Sequence, residues 1–169
     1  SVGVHSSDSV HAWRNLASVS DGSNVFACLI LAGWQIARDK QFQPHFTEWE
    51  PVPSKRQINE VSAKEPQKLL ADLDGHIRGN LQSHAAAVVH RWGLLALPVE
   101  PVQALLRDFA TSEDGSLHAE KYFQTCRDEF QRTRTAFRWR HLVALARVTA
   151  SEYGRPAPGQ EEARALLGV

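Results

Sequence analysis

The 169-residue sequence has no net charge, because 19 Lys and Arg balance 19 Asp and Glu. Without a basic excess, nothing global draws it to nucleic acid or to an anionic membrane surface. Neutrality also puts the chain at its solubility minimum, which suits life inside an assembly. Cysteine is scarce: Cys28 and Cys126 are the two present, both within apolar helical patterns. That fits a reducing, cytoplasmic compartment better than a disulfide scaffold. No uninterrupted apolar stretch approaches the roughly 18 residues of a membrane span. The best run, Val25 to Ala37, is broken by Gly33 and Gln35. The N terminus lacks the basic-then-apolar pattern of a secretory leader. It opens at Ser1 with no initiator methionine, which suggests processing or trimming. Internal repeats and low-complexity segments are also missing.

Motifs that carry chemistry are equally scarce. The eight His, at 5, 11, 45, 76, 84, 90, 118 and 141, form neither H-x-x-x-H nor H-x-H, and no C-x-x-C occurs. These are the spacings that place metal ligands on one helix face or in one turn. A helical di-iron site needs Glu-x-x-His on each of two helices, and no Glu here has a His three residues later. There is no glycine-rich phosphate loop and no nucleophile elbow. The carboxylate pairs Asp72/Asp74 and Glu161/Glu162 read as solvent-facing. His84, flanked by His76 and His90, lies on an apolar stripe and reads as a satisfied buried or interface histidine. No catalytic, cofactor-binding or metal residue is therefore expected in this chain.

What the sequence does have is helical periodicity, almost from end to end, and a length that suits one domain with a sizeable core. The expected fold is a single all-α domain over 1–169. A first helix is expected to start near Asp8, capped by Ser6, Ser7 or Asp8, with Val10, Trp13, Leu16 and Ala17 on one face. A second runs from about Val25 to Lys40, with a stripe of Phe26, Leu29, Ile30, Gly33, Trp34 and Ala37. From about 41 to 63, three prolines and the aromatics Phe42, Phe46 and Trp49 interrupt the period, giving an irregular arm. Pro66 opens a helical stretch that Gly75 and Gly79 interrupt and Pro98 ends. Pro101 opens another. The longest stretch, Leu117 to Glu152, would measure roughly 54 Å unbroken. A compact domain of this size is about 40 Å across, so the helix must bend, break or project along a neighbour. A last short helix covers Gln160 to Leu167.

Arg127, Arg132, Arg134, Arg138, Arg140 and Arg147 crowd one stretch among Phe130, Phe137 and Trp139. A basic, aromatic-interleaved face is one way to bind nucleic acid. The zero net charge, the intervening Asp128 and Glu129 and the lack of a helix-turn-helix favour a solvated face or a protein interface, where Arg and Trp are enriched. Five Trp, some outside clean stripes, suggest burial by something other than the chain's own core.

The opening "GVHSSDSVHAWRN" crowds two His, an Asp and three Ser into thirteen positions. Residues this close in sequence cannot orient one another as a catalytic triad does. The stretch resembles the N terminus of the γ subunit of the hydroxylase component of soluble methane monooxygenases and related short-chain alkane (butane-type) di-iron monooxygenases. The residues carrying the likeness are Gly3, Val4, His5, Ser6, Asp8, Ala12, Trp13 and Asn15. The tail "YGRPAPGQEEARALLGV" resembles the family's closing segment, and the length agrees. The interior is richer in Ala, Arg and Trp than the methane-oxidising version and lacks its Tyr-Lys-Pro-Pro stretch, which points to a divergent alkane or alkene monooxygenase.

The resemblance implies a non-catalytic, elongated, multi-helix γ subunit that stabilises the α and β hydroxylase subunits in an (αβγ)₂ complex. It implies no cofactor in this chain and a di-iron centre in the partner α subunit. A regulatory protein and an NADH-dependent reductase would act on the complex, with no nucleic acid or membrane involved. Residues 5 to 15 would then be a capped helix docking on partner subunits. Candidate interface residues are His5, Trp13, Phe46, Trp49, Trp92, Phe137, Trp139 and Arg140. The alternatives are a stand-alone helical enzyme or ligand-binding domain using His84, His90 and Trp92, and a nucleic-acid-binding module using the Arg-rich helix 127–147.

Overall fold

A computed structural model describes residues 2–43, 45, 48–112, 117–154 and 159–168. Among these every regular element is an α-helix and none is a strand. The helices fall in two compact units, residues 1–50 and 51–169.

The first unit is a helical pair, α1 (Val2–Ser18) and α2 (Gly22–Gln41), packed on each other across a short turn. Helix α1 starts well before Asp8, so Ser6, Ser7 and Asp8 lie inside it and cap nothing. Tertiary contact decides where a helix begins more than propensity does. Here Val4 is buried, which ties down a first turn that sequence alone leaves open. The end of α1 is closed by hydroxyls: Ser18 Oγ donates to the Asn15 carbonyl and Ser20 Oγ to that of Leu16, each at 2.7 Å.

The second unit contains α3 (Lys55–Glu60), α4 (Pro66–Arg78), α5 (Gln82–Leu94), α6 (Glu100–Ala110), α7 (Leu117–Arg132), α8 (Thr135–Glu152) and α9 (Gln160–Leu167). Helix α3 forms inside the stretch expected to be irregular. A capping box makes it: Ser54 Oγ accepts from Gln57 N–H, and the Gln57 side chain accepts from Ser54 N–H at 2.8 Å. Two orphan donors are thereby satisfied at once.

The break between α4 and α5 falls at residues 79–81: Gly79 is the C-terminal cap of α4, while Gly75 lies inside the helix. Asn80 takes a left-handed conformation, φ 54°. Leu81 N–H reaches the His76 carbonyl at 2.8 Å and Asn80 N–H that of Ile77 at 3.0 Å. This is a Schellman closure, in which the two N–H groups satisfy the last free carbonyls. Helix α5 ends the same way with Ala96, φ 51°, in the left-handed position. The long stretch expected from Leu117 to Glu152 breaks at Thr133 and Arg134 into α7 and α8. Thr133 Oγ1 spans the corner to His141 Nε2 at 2.9 Å.

Helix α5 is the axis of this unit. Ala85, Ala86, Ala87, Val88 and Val89 are all buried, and five consecutive positions cover every side of a helix. Around it pack α3, α4 and α8, and α8 also packs on α7. Small side chains on α5 let its neighbours approach closely. Gly93 sets the limit, because an added Cβ would lie 2.7 Å from Trp139 Cδ2. The Trp139 indole is itself held edge-on against Phe130, with centroids 5.3 Å apart.

Two substitutions three residues apart should therefore act in opposite directions. Gly93→Ala gains about 1 kcal/mol of helix propensity but displaces a pinned indole. Net destabilisation of about 1–2 kcal/mol is expected. Ala96→Gly relieves a left-handed alanine and should stabilise by about 1 kcal/mol. Urea unfolding of the two variants beside the parent chain checks both signs.

Candidate partner-binding faces

The α1–α2 pair buries small apolar side chains together with a polar cluster. Cys28, Ala32 and Asp39 are the buried residues of α2, and Val4 and His11 are those of α1. At the seam Ser6 Oγ donates to Asp39 Oδ2 at 2.7 Å, and Gln35 Nε2 donates to Asp39 Oδ1 at 2.8 Å. Asn15 Nδ2 lies 2.9 Å from His11 Nε2. The Gln35 amide, then the Ser6 hydroxyl, hold the Asp39 carboxyl below its ordinary value, since both favour the charged form.

The apolar stripe of α2 points the other way. Phe26 is 68% exposed and Ile30 70%, with Leu29, Trp34 and Ile36 also exposed. Positions 26, 30, 33 and 37 recur at helical spacing and form one face. On α1 the expected stripe is likewise not the buried side: Leu16 is exposed, and Val10, Trp13 and Ala17 are half-buried. The buried positions 4 and 11 lie on the opposite side of that helix. A contiguous exposed apolar face of this kind is a candidate interaction surface. No described helix is long and apolar enough to cross a membrane.

A second surface lies on α8. The Arg134 guanidinium sits 5.2 Å from the Phe137 ring centre, and that of Arg140 sits 4.7 Å from it. Arg138 instead lies 4.9 Å over Phe130, with its Nε buried and without a hydrogen-bond partner. Its head group is thus occupied with the chain's own aromatics, whereas Arg134 and Arg140 stay exposed.

A third feature is a cleft of about 520 Å³ whose lining includes Glu60, Glu65, Lys68, Asp72, His76 and His84. The rings of His76 and His84 are 5.5 Å apart, and His84 Nε2 is 3.4 Å from Glu60 Oε2. Burial, and then the neighbouring His84, lower the pKa of His76; burial lowers that of His90. Lys68 is already paired with Asp72. Among the described residues no group of three or more His, Cys, Asp or Glu is arranged to hold a metal ion.

The residues singled out from sequence separate into four situations. His5 and Trp49 are exposed, and Trp13 is half-buried. Phe137 and Arg140 form the stacked pair on α8, and Trp139 is half-buried against Phe130 and Gly93. Trp92 is not a surface residue: it is 1% exposed, and its Nε1–H donates to the Pro98 carbonyl at 2.7 Å. Its apolar body fills the core and its one donor is satisfied inside. Phe46 lies outside the described residues. Of the ligand-binding set, His84 lines the cleft and Trp92 does not. Sequence reasoning missed Phe26, Leu29, Ile30 and Trp34 as a surface, although their spacing was plain, because a period identifies a face without saying what covers it.

Compared with known protein families, with curated proteins and with solved structures, the chain matches none.

Two pH effects follow. Asp39 has a lowered pKa in the folded chain, so the unfolded chain binds more protons as pH falls below 3.8. The seam's contribution is present above that value and lost as pH drops through the folded-state pKa. His76 and His90 are lowered from 6.5. There too the unfolded chain takes up protons first, so the second unit should lose stability as pH falls through 6.5. Denaturant unfolding above and below that pH checks this, and His76→Gln should flatten the slope.

Proposed function

We propose that the chain is the non-catalytic γ subunit of the hydroxylase of a soluble di-iron methane or short-chain alkane monooxygenase. In this reading it is an elongated cytoplasmic subunit that stabilises α and β in an (αβγ)₂ complex. The complex hydroxylates hydrocarbons with O₂ and electrons derived from NADH. The iron and its Glu and Glu-x-x-His ligands belong to α, and this chain supplies no side chain to the chemistry.

The observation that carries the reading is the outward apolar face of α2. Phe26, Leu29, Ile30 and Trp34 are exposed along one helix whose inner side buries only Cys28, Ala32 and the hydrogen-bonded Asp39. Burying side chains of this size is worth about 1.5–3 kcal/mol each, so a permanent partner would gain much by covering them. Obligate interfaces of this kind run from about 2,000 Å² upward. The resemblance of residues 3 to 15 to the γ subunit's N terminus supports the α and β subunits as that partner, and all of these residues lie on α1, the helix packed against the inner side of α2.

The test is recovery of tagged chain from its host, with mass and iron read on what is bound. Two larger subunits in equal amounts, with about two irons per αβγ set in the largest, is the expected result. Recovery of a folded monomer alone would overturn it. Phe26→Glu with Ile30→Glu should keep the helical content, raise the solubility of the free chain and abolish recovery of the larger subunits.

A further inference from the structure

We propose that the outer face of α8, made by Arg134, Phe137, Arg140 and Arg147, docks an acidic segment of a partner protein. The proposal goes beyond the hydroxylase reading and does not depend on it, since the acidic segment is defined by its chemistry and not by the complex.

Charge distribution is the first argument. The chain as a whole is neutral, yet residues 130 to 151 contain five arginines and no Asp or Glu. Arg134, Arg140 and Arg147 are exposed. Helix α8 buries Leu142, Leu145, Ala146 and Thr149 against its own unit, and positions 137, 140, 144 and 147 fall on the opposite side. Among the described residues none of these three guanidiniums takes part in an ion pair; the contacts of Arg134 and Arg140 are with the Phe137 ring. The result is local positive charge left unanswered within the unit.

The chemistry of the stack selects the occupant. A guanidinium lying over an aromatic ring is desolvated on one side and held still, while the N–H groups along its edge stay free. Those edges match a carboxylate in a two-point fork. Single-stranded nucleic acid needs open aromatic faces on which bases stack. The face offers none: two guanidiniums lie over Phe137, and Trp139 is committed to Phe130 and Gly93. Repeated Asp and Glu side chains, with no stacking requirement, fit what is left.

The test titrates the full chain with a synthetic peptide of repeated Glu-Asp, reading heat and the arginine side-chain N–H resonances. A single-stranded oligonucleotide of equal net charge is run beside it. The peptide should bind in preference to the oligonucleotide, moving the Arg134 and Arg140 resonances, and binding should weaken with salt. Arg134→Gln with Arg140→Gln should weaken it about tenfold or more. Arg134→Lys with Arg140→Lys keeps the charge and loses the fork; it should still cost several-fold, and it serves if the Gln variant misfolds. Arg56→Gln with Arg107→Gln removes the same charge elsewhere and should leave binding near the parent level. Tighter binding of the oligonucleotide, no binding of the peptide, or parent-like affinity in the Lys variant would each overturn the proposal.

Discussion

A helix buried on all sides is the constraint from which the second unit is built. Helix α5 buries five residues in succession, three of them alanine. A helix of that kind gains little from any one side chain. Its neighbours gain instead, because small residues let α3, α4 and α8 lay larger ones over it at close range. Leu69, Leu73 and Ile77 of α4 and Leu142 and Leu145 of α8 are each at most 1% exposed. Gly93 carries the same logic to its limit by seating a whole indole where a methyl would not fit. The corner between α7 and α8 follows from this. Trp139 must reach Gly93 on α5 while staying edge-on to Phe130 on α7, which a single straight helix from 117 to 152 would not allow.

The α1–α2 pair follows the opposite logic. Its shared seam holds a carboxylate with two hydrogen-bond donors, and its outer faces hold the large apolar groups. A satisfied buried polar network fixes register more than it adds stability. Asp39, Gln35 and Ser6 therefore say how the two helices lie together, and contribute less to how strongly. Isolated helices in this length range are marginal in water without a packed apolar face. The hydrophobic free energy of this pair is thus largely unrealised within residues 1–50, while the second unit realises its own.

That contrast explains what could be read from sequence and what could not. The helical class, and Pro66 and Pro101 in the opening turns of α4 and α6, were legible, because each rests on local rules. The need for a break in the 117–152 stretch came from length alone, but its position did not: Thr133 and Arg134 carry no breaker residue, and the Trp139–Gly93 contact that requires the corner is remote in sequence. Gly75 misled for the converse reason, since a glycine permits an end without making one, whereas Gly79 does cap α4 beside the left-handed Asn80. Helix α3 was hidden because a capping box is a side-chain device that leaves no apolar period over six residues. Trp92 was misplaced because an excess of Trp says nothing about which one the core takes.

The faces were the least legible part, and the reason is physical. Periodicity reports that apolar residues share a side of a helix. Whether that side meets the same chain or another is decided by the remaining elements and by stoichiometry, neither of which is local. On α2 the stripe is open, and on α8 the exposed side is basic and aromatic; both had been visible as patterns. A surface bound in the native state but open in the free chain makes measured stability depend on partner concentration by mass action. For α2 this means that the apolar stripe contributes to the fold of residues 1–50 only when covered.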